Sequence, residues 1–187
     1  LKVLEKPFDL VGTVFSNTGG LPVPKRHPSR QKYRLIEIER IAKKFNVPIE
    51  GPQKEDEFLI SALEEHGKMY GLSDSKNFLP DRWLEDGDQL ELDGIHFDVY
   101  HCPGHTPGHV IFHNKESKFA IVGDVLFQGS IGRTDFPRGN HEELINAIRT
   151  KLWPLGDDVT FVPGHGPVST FGQERMTNPY VADQLFK

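Results

Sequence analysis

The stretch His101-Cys-Pro-Gly-His-Thr-Pro-Gly-His109 decides how this chain is read. Three histidines at four-residue intervals match one face of a helix, but two intervening Pro-Gly pairs rule a helix out. Gly104 and Gly108 allow tight turns while Pro103 and Pro107 stiffen the loop, so an imidazole can be held in one direction. Working outward, Val122-Gly-Asp-Val-Leu-Phe127 and Val162-Pro-Gly-His-Gly-Pro167 have a related form, an apolar run, then a glycine, then a side chain able to ligate. His105, Asp124 and His165 thus stand at the ends of three strand-like runs. Imidazole and carboxylate groups at strand ends are how a rigid β scaffold aims ligands at a divalent metal. Alone, Asp124 reads as a turn-initiating aspartate and His165 as a loop histidine without a task. The three segments together make accident the weaker reading.

The surrounding pattern predicts a layered α/β domain. Residues 1–33 are irregular, punctuated by Asn17-Thr-Gly-Gly20 and by Pro22, Pro24 and Pro28. Leu35, Ile38, Ile41, Ala42 and Phe45 recur at helical spacing, predicting a helix over Tyr33–Phe45 that stops before Pro48. A second helix is expected over Lys54–Met69, with Phe58, Leu59, Ala62 and Leu63 inward and acids at its start, where the helix dipole favours them. Leu90–Leu92 and Ile95–Val99 alternate with period two across Asp93-Gly94, a hairpin signal. Val110–Phe112, Phe119–Val122 and Val159–Val162 predict further strands, and His141–Leu152 a helix ended by Pro154. Strands, then a helix, then a strand, with ligands just past strand ends, fit such a domain.

Composition excludes several classes. The chain has 187 residues, a formal net charge of −5 and no block of basic residues, so no nucleic acid or anionic membrane partner is expected. No apolar run approaches the ~18 residues that span a bilayer. No signal peptide is expected at the N-terminus. Cys102 is the single cysteine, which excludes an internal disulfide and makes a reducing, cytoplasmic setting the expectation. Beside the metal candidates, Cys102 reads as a buried small residue rather than a reactive thiol. His101 and His109 read as packing or orienting neighbours of His105. His66, His96, His113 and His141 are expected on surface faces or turns, without function.

The three segments, with Ile131-Gly-Arg-Thr-Asp-Phe136, resemble the glyoxalase II branch of the metallo-β-lactamase superfamily, in particular short bacterial hydroxyacylglutathione hydrolase-like proteins. The resemblance covers roughly residues 41–187. It implies an αββα sandwich and a single domain over residues 1–187, with 1–33 atypical. It also implies a dinuclear centre in which His105 ligates the first metal, Asp124 is the bridging, catalytic carboxylate, and His165 ligates the second. Arg133 matches a position where a basic residue contacts the glutathione moiety. The implied reaction is hydrolysis of a small thioester such as S-lactoylglutathione by metal-activated water. The implied cofactor is a divalent metal, zinc foremost, with iron or manganese as alternatives.

The family's first ligand motif, Thr-His-x-His-x-Asp-His, departs wholesale. Counting back from Val47-Pro48, its four ligands fall on Ser29, Gln31, Tyr33 and Arg34, and no His-x-His occurs anywhere in the chain. His27, Glu37 and Glu39 are conceivable substitutes that no spacing supports. Two metals per site in the family become one or none expected here, and activity is expected to be weak or absent. The helical substrate domain of full-length glyoxalase II is not expected in this chain. Two other readings stand beside the thioesterase: a mononuclear iron persulfide dioxygenase, which shares the Gly-Arg-Thr-Asp-Phe segment, and an inactive, metal-depleted scaffold or binding protein.

Overall fold

Period-two alternation from Gln89 onward becomes a hairpin, β1 (Gln89–Leu92) antiparallel to β2 (Ile95–His101) across Asp93-Gly94. Both turn residues have positive φ, 53° and 82°, as a type I′ turn requires, and its twist matches that of the strands. β3 (Val110–Asn114) and β4 (Phe119–Gly123) continue the sheet antiparallel. A two-stranded ribbon, β5 (Leu126–Phe127) with β6 (Ser130–Ile131), follows as a sheet of its own. β7 (Thr160–Pro163) then lies parallel to β4, and β8 (Ser169–Thr170) pairs antiparallel with β7. Five pairings give the order β1-β2-β3-β4-β7-β8.

The computed structural model describes residues 48–65 and 77–187. The chain divides into two units, Leu1–Val47 with Ala62–Asn77, and Pro48–Ser61 with Phe78–Lys187. Every labelled helix and strand belongs to the second. The expected helix over Tyr33–Phe45, the positions 29, 31, 33 and 34, the conceivable ligands His27, Glu37 and Glu39, and His66 lie outside the described residues.

A 3-10 turn at Lys54–Asp56 leads into α1 (Glu57–Ile60). A turn at Ser61-Ala62 then interrupts the helix expected to run to Met69. Residues 63–65 are helical again beyond this turn, and residues 66–69 of the expected helix lie outside the described residues. α2 (His141–Ala147) is capped by Asn140, whose side chain accepts from the Glu142 and Glu143 amides. It passes into a π-helical turn over Ile148–Leu152 and a 3-10 turn over Trp153–Leu155 that holds Pro154. α3 (Phe171–Thr177) is capped by the Thr170 hydroxyl, which accepts from the Gln173 amide. Among the described residues no helix is long and apolar enough to cross a membrane.

Register sorts the sheet into two apolar faces. Ile111, Ala120, Val122 and Phe161 are fully buried and cluster with Leu144, Ile148, Leu152, Trp153 and Phe171 of the helical segments. Phe161 and Phe171 stack with ring centres 5.5 Å apart. On the other face Val99, Phe112, Ile121 and Val162 form a cross-strand row. A sheet apolar on both faces takes a layer on each side. This is an α/β fold, and the described residues supply one β layer and its helical layer.

His113 corrects a surface expectation. It lies directly opposite Ala120 in the register and is 5% exposed, on the same face as Ile111. Burial pushes its pKa below the usual histidine value. His96 and His141 are exposed, as expected. Cys102 is fully buried, and burial pushes its thiol up to about 12, so it packs and does not react.

Candidate metal centre

Two of the three candidate ligands leave neighbouring parallel strands at the same end of the sheet. β4 and β7 shift register after Ile121, and the chain then presents Asp124 beyond one strand and His165 beyond the other. The Gly164 amide donates to Gly123 O at 2.7 Å, which draws the two loops together. Gly164 leaves no room for a side chain, since a Cβ there would stand 2.1 Å from Asp124 Oδ1.

His105 comes from the loop between β2 and β3, which is tied on several sides. His101 Nε2 donates to Pro107 O at 2.6 Å, and the Asn140 amide donates to Gly104 O at 2.8 Å. Asp56, 7% exposed, accepts at 2.7 Å from both the Gly108 amide and the Thr106 hydroxyl. The acids at the start of the 54–69 segment were expected to answer the helix dipole. Asp56 instead spends both oxygens on the His105 loop.

The His105 and His165 Nε2 atoms each lie 3.7 Å from Asp124 Oδ2. That is too long for a hydrogen bond. Two donors bonded to a common ion at about 2.0–2.2 Å stand no more than about 4.4 Å apart, so each pair suits two ligands of one ion. The His105 tautomer supports this. Its Nδ1 lies 2.8 Å from Arg133 O, which can only accept, so Nδ1 carries a proton and Nε2 is the ring nitrogen turned toward the carboxylate, as in a ligand held through its other nitrogen. Among the described residues, no group of three His, Cys, Asp or Glu side chains is set to hold an ion by itself. Asp124 is shared between two histidines, and each pair is short of further ligands.

His109 packs edge-on to His105 with ring centres 5.8 Å apart and donates from Nε2 to Val122 O at 3.2 Å. Burial, reinforced by the nearby His105, pushes its pKa below the usual histidine value. It therefore braces the centre as a neutral ring.

A cavity of ≈ 450 Å³ opens over these groups. Phe127 stacks on His165 at 4.5 Å and 30°, and Phe136 meets His105 edge-on at 5.2 Å. Arg133 borders the same cavity, its guanidinium 4.4 Å above the Phe136 ring. It also forms a bidentate pair with Asp135, at 2.5 and 2.6 Å, whose hydrogen bonds hold the Asp135 carboxyl below the usual carboxylate range. Two larger hollows, of ≈ 530 and ≈ 760 Å³, contain no histidine. Sequence reasoning missed the two phenylalanine walls and Asp56. The walls stood inside the quoted Gly-Asp-Val-Leu-Phe and Gly-Arg-Thr-Asp-Phe segments. No local signal marked Asp56.

A mixed sheet backed by helices, with histidine and aspartate at strand ends, defines a class, and the chain belongs to the metallo-beta-lactamase superfamily, whose profile matches residues 37–165. Membership implies a divalent-metal centre. The chain is 52% identical over 138 residues to hydroxyacylglutathione hydrolase GloC of Haemophilus influenzae, a match over 73% of this chain and 65% of that protein. It thus spans just under two thirds of that relative's length. Among solved structures it is similar to the BLEG-1 B3 metallo-beta-lactamase, with a TM-score of 0.68 and 32% identity over 77% of this chain and 69% of that one. TTHA1623 in a di-iron-bound form gives 0.67 and 34%, over 78% and 71%.

Proposed function

We propose that this chain is a metal-dependent hydrolase of small thioesters, of the S-lactoylglutathione type, working slowly because its sequence lacks the family's first ligand motif. The observation that carries the reading is the pair of 3.7 Å approaches of two imidazole nitrogens to one Asp124 oxygen, beside a cavity. The 52% identity to a hydroxyacylglutathione hydrolase supports the substrate class. His105 with Asp124, and Asp124 with His165, would each supply part of a cation's ligands, with zinc as the first choice and iron or manganese as alternatives. A relative solved with two irons makes iron a real contender. When bound, a divalent cation supplies Lewis acidity toward a carbonyl oxygen and toward water.

The chain's own residues do the rest. Arg133 O fixes the His105 tautomer, and Asp124 supplies the negative charge shared between the two histidines. Phe127, Ile131 and Phe136 give apolar walls that exclude water around an acyl-sulfur group. Arg133, held against Asp135, offers its guanidinium to a substrate carboxylate at the cavity. The substrate is a small molecule, and the cytoplasm is the setting we assign.

The test is metal content and S-lactoylglutathione turnover of the purified protein. Fewer than two ions per chain and turnover far below ~10 s⁻¹, a typical enzyme rate, are expected. Two ions with turnover near that rate would overturn the slow-site reading. Ser29→His, Gln31→His, Tyr33→Asp and Arg34→His together are expected to raise both quantities. Persulfide-dependent oxygen uptake with bound iron would favour the dioxygenase. A metal-free, inactive protein that binds a partner would favour the scaffold.

A further inference from the structure

Glu174, on α3, is 1% exposed and forms no ion pair among the described residues. Its oxygens are filled by hydrogen bonds from three places. Oε1 accepts from Ser169 Oγ at 2.5 Å, and Oε2 accepts from the Gly129 amide at 2.8 Å and from Asn178 Nδ2 at 2.9 Å. Asn178, itself fully buried, also donates to Ser130 O at 3.0 Å and Phe127 O at 3.4 Å. Ser169 opens the strand that follows the His165 loop, while Phe127, Gly129 and Ser130 form the β5–β6 ribbon. One carboxylate therefore ties together the two segments that bear the stacked Phe127 and His165 rings.

A buried carboxylate without a counter-charge is costly to desolvate, and an apolar side chain would serve packing alone better. We propose that Glu174 is a positioning residue for the metal centre. Through Gly129, Ser169 and Asn178 it fixes the Phe127 ring against the His165 ring, and so sets the aim of His165 and the width of the cavity on that side. Only the kinetic arm of its test rests on the thioesterase reading.

Glu174→Gln keeps the size of the side chain but turns one acceptor into a donor that faces other donors. In the full chain labelled with ¹⁵N-histidine, the His165 ring signals are expected to shift in Glu174→Gln and in Phe127→Ala. The two substitutions combined should shift them by less than the sum, because both act through one contact. The His105 signals, held from Arg133 O, are expected to stay. Thioester kcat/KM is expected to fall roughly ten- to a hundredfold, as for other small misplacements of reacting groups. Ser169→Ala removes a single donor and is expected to move His165 less, in the same sense, which keeps the measurement available where Glu174→Gln does not fold. Unmoved His165 signals in a folded variant, or a His105 shift as large as that of His165, overturn the proposal. A parent protein without thioester turnover overturns the thioesterase reading instead, and the ring signals still decide the positioning role.

Discussion

His105 and His165 stand at the same 3.7 Å from the same Asp124 oxygen, yet they are held in opposite ways. The His105 side chain is 12% exposed, with Nδ1 committed to Arg133 O, its loop tied to Asp56 and its ring braced by His109 and Phe136. The His165 side chain is 62% exposed, and its ring stacks on that of Phe127. Equal distances thus conceal unequal preorganisation. The His105 half of the candidate centre is held by the protein alone, whereas the exposed His165 half would take its order from the Phe127 stack and from a bound cation.

The strongest way to break this comparison is Asp124→Ala, which removes the shared acid. It is expected to abolish metal binding, and elemental analysis that finds parental metal content would show that the two histidines do not share an ion-binding acid. Next in size is the contrast between the halves. In a competition titration with a chelating dye, His105→Ala is expected to weaken metal affinity more than His165→Ala, because it removes the ligand whose ordering is already complete. The reverse order would make the exposed half the stronger one. Asp56→Ala touches the tight half alone, and it leaves the buried Gly108 amide without its acceptor. We expect about 1–3 kcal/mol lost in urea unfolding, with part of the metal lost as well. Unchanged stability would mean that the loop is held without Asp56.

The smallest effect is a control outside both loops. Burial keeps folded His113 below its ordinary value of 6.5. An unfolded chain takes up a proton there near pH 6.5 while the folded one does not, so the unfolded state binds more protons in that window. Stability contributed by neutral His113 is therefore present above about pH 6.5 and is lost on acidification through its lower folded pKa. His113→Leu is expected to flatten that slope in unfolding measured from pH 7 down to 5, and to leave metal content alone. A slope that does not change would place the acid sensitivity elsewhere, with His109, which has the same sign, as the next suspect.

The legibility of the molecule follows the range of its interactions. The β1–β2 hairpin, β3, β4, β7 and the start of α2 could be read from period and turn chemistry, because these act over a few residues, whereas Pro154 does not stop the helical segment but sits inside its closing 3-10 turn. The approach of His105 and His165 to Asp124 could be anticipated because a glycine stands just before each of the three residues, where a strand gives way to a loop. Asp56 could not, since its partners lie 50 and 52 positions away and an acid at a helix start has a sufficient local explanation. Glu174 was hidden in the same way, with the Gly129 amide 45 positions distant. His113 was misplaced because one histidine in a short strand does not reveal its face, and only the pairing with Ala120 does.

The pairing of β4 with β7 also governs when a cation can matter. The two strands run parallel, so they cannot be joined by a tight turn, and the connection between them includes α2. The β1–β2 hairpin can close on a microsecond scale, whereas a parallel pairing waits for its crossover to dock and is intrinsically slow. Asp124 and His165 belong to that late event, so no local fragment of the chain presents both to an ion. A cation that binds only the finished arrangement leaves the early steps of folding untouched. Its binding free energy would be added to the native state alone, and a metal would act as a latch on a completed fold rather than as a seed for it.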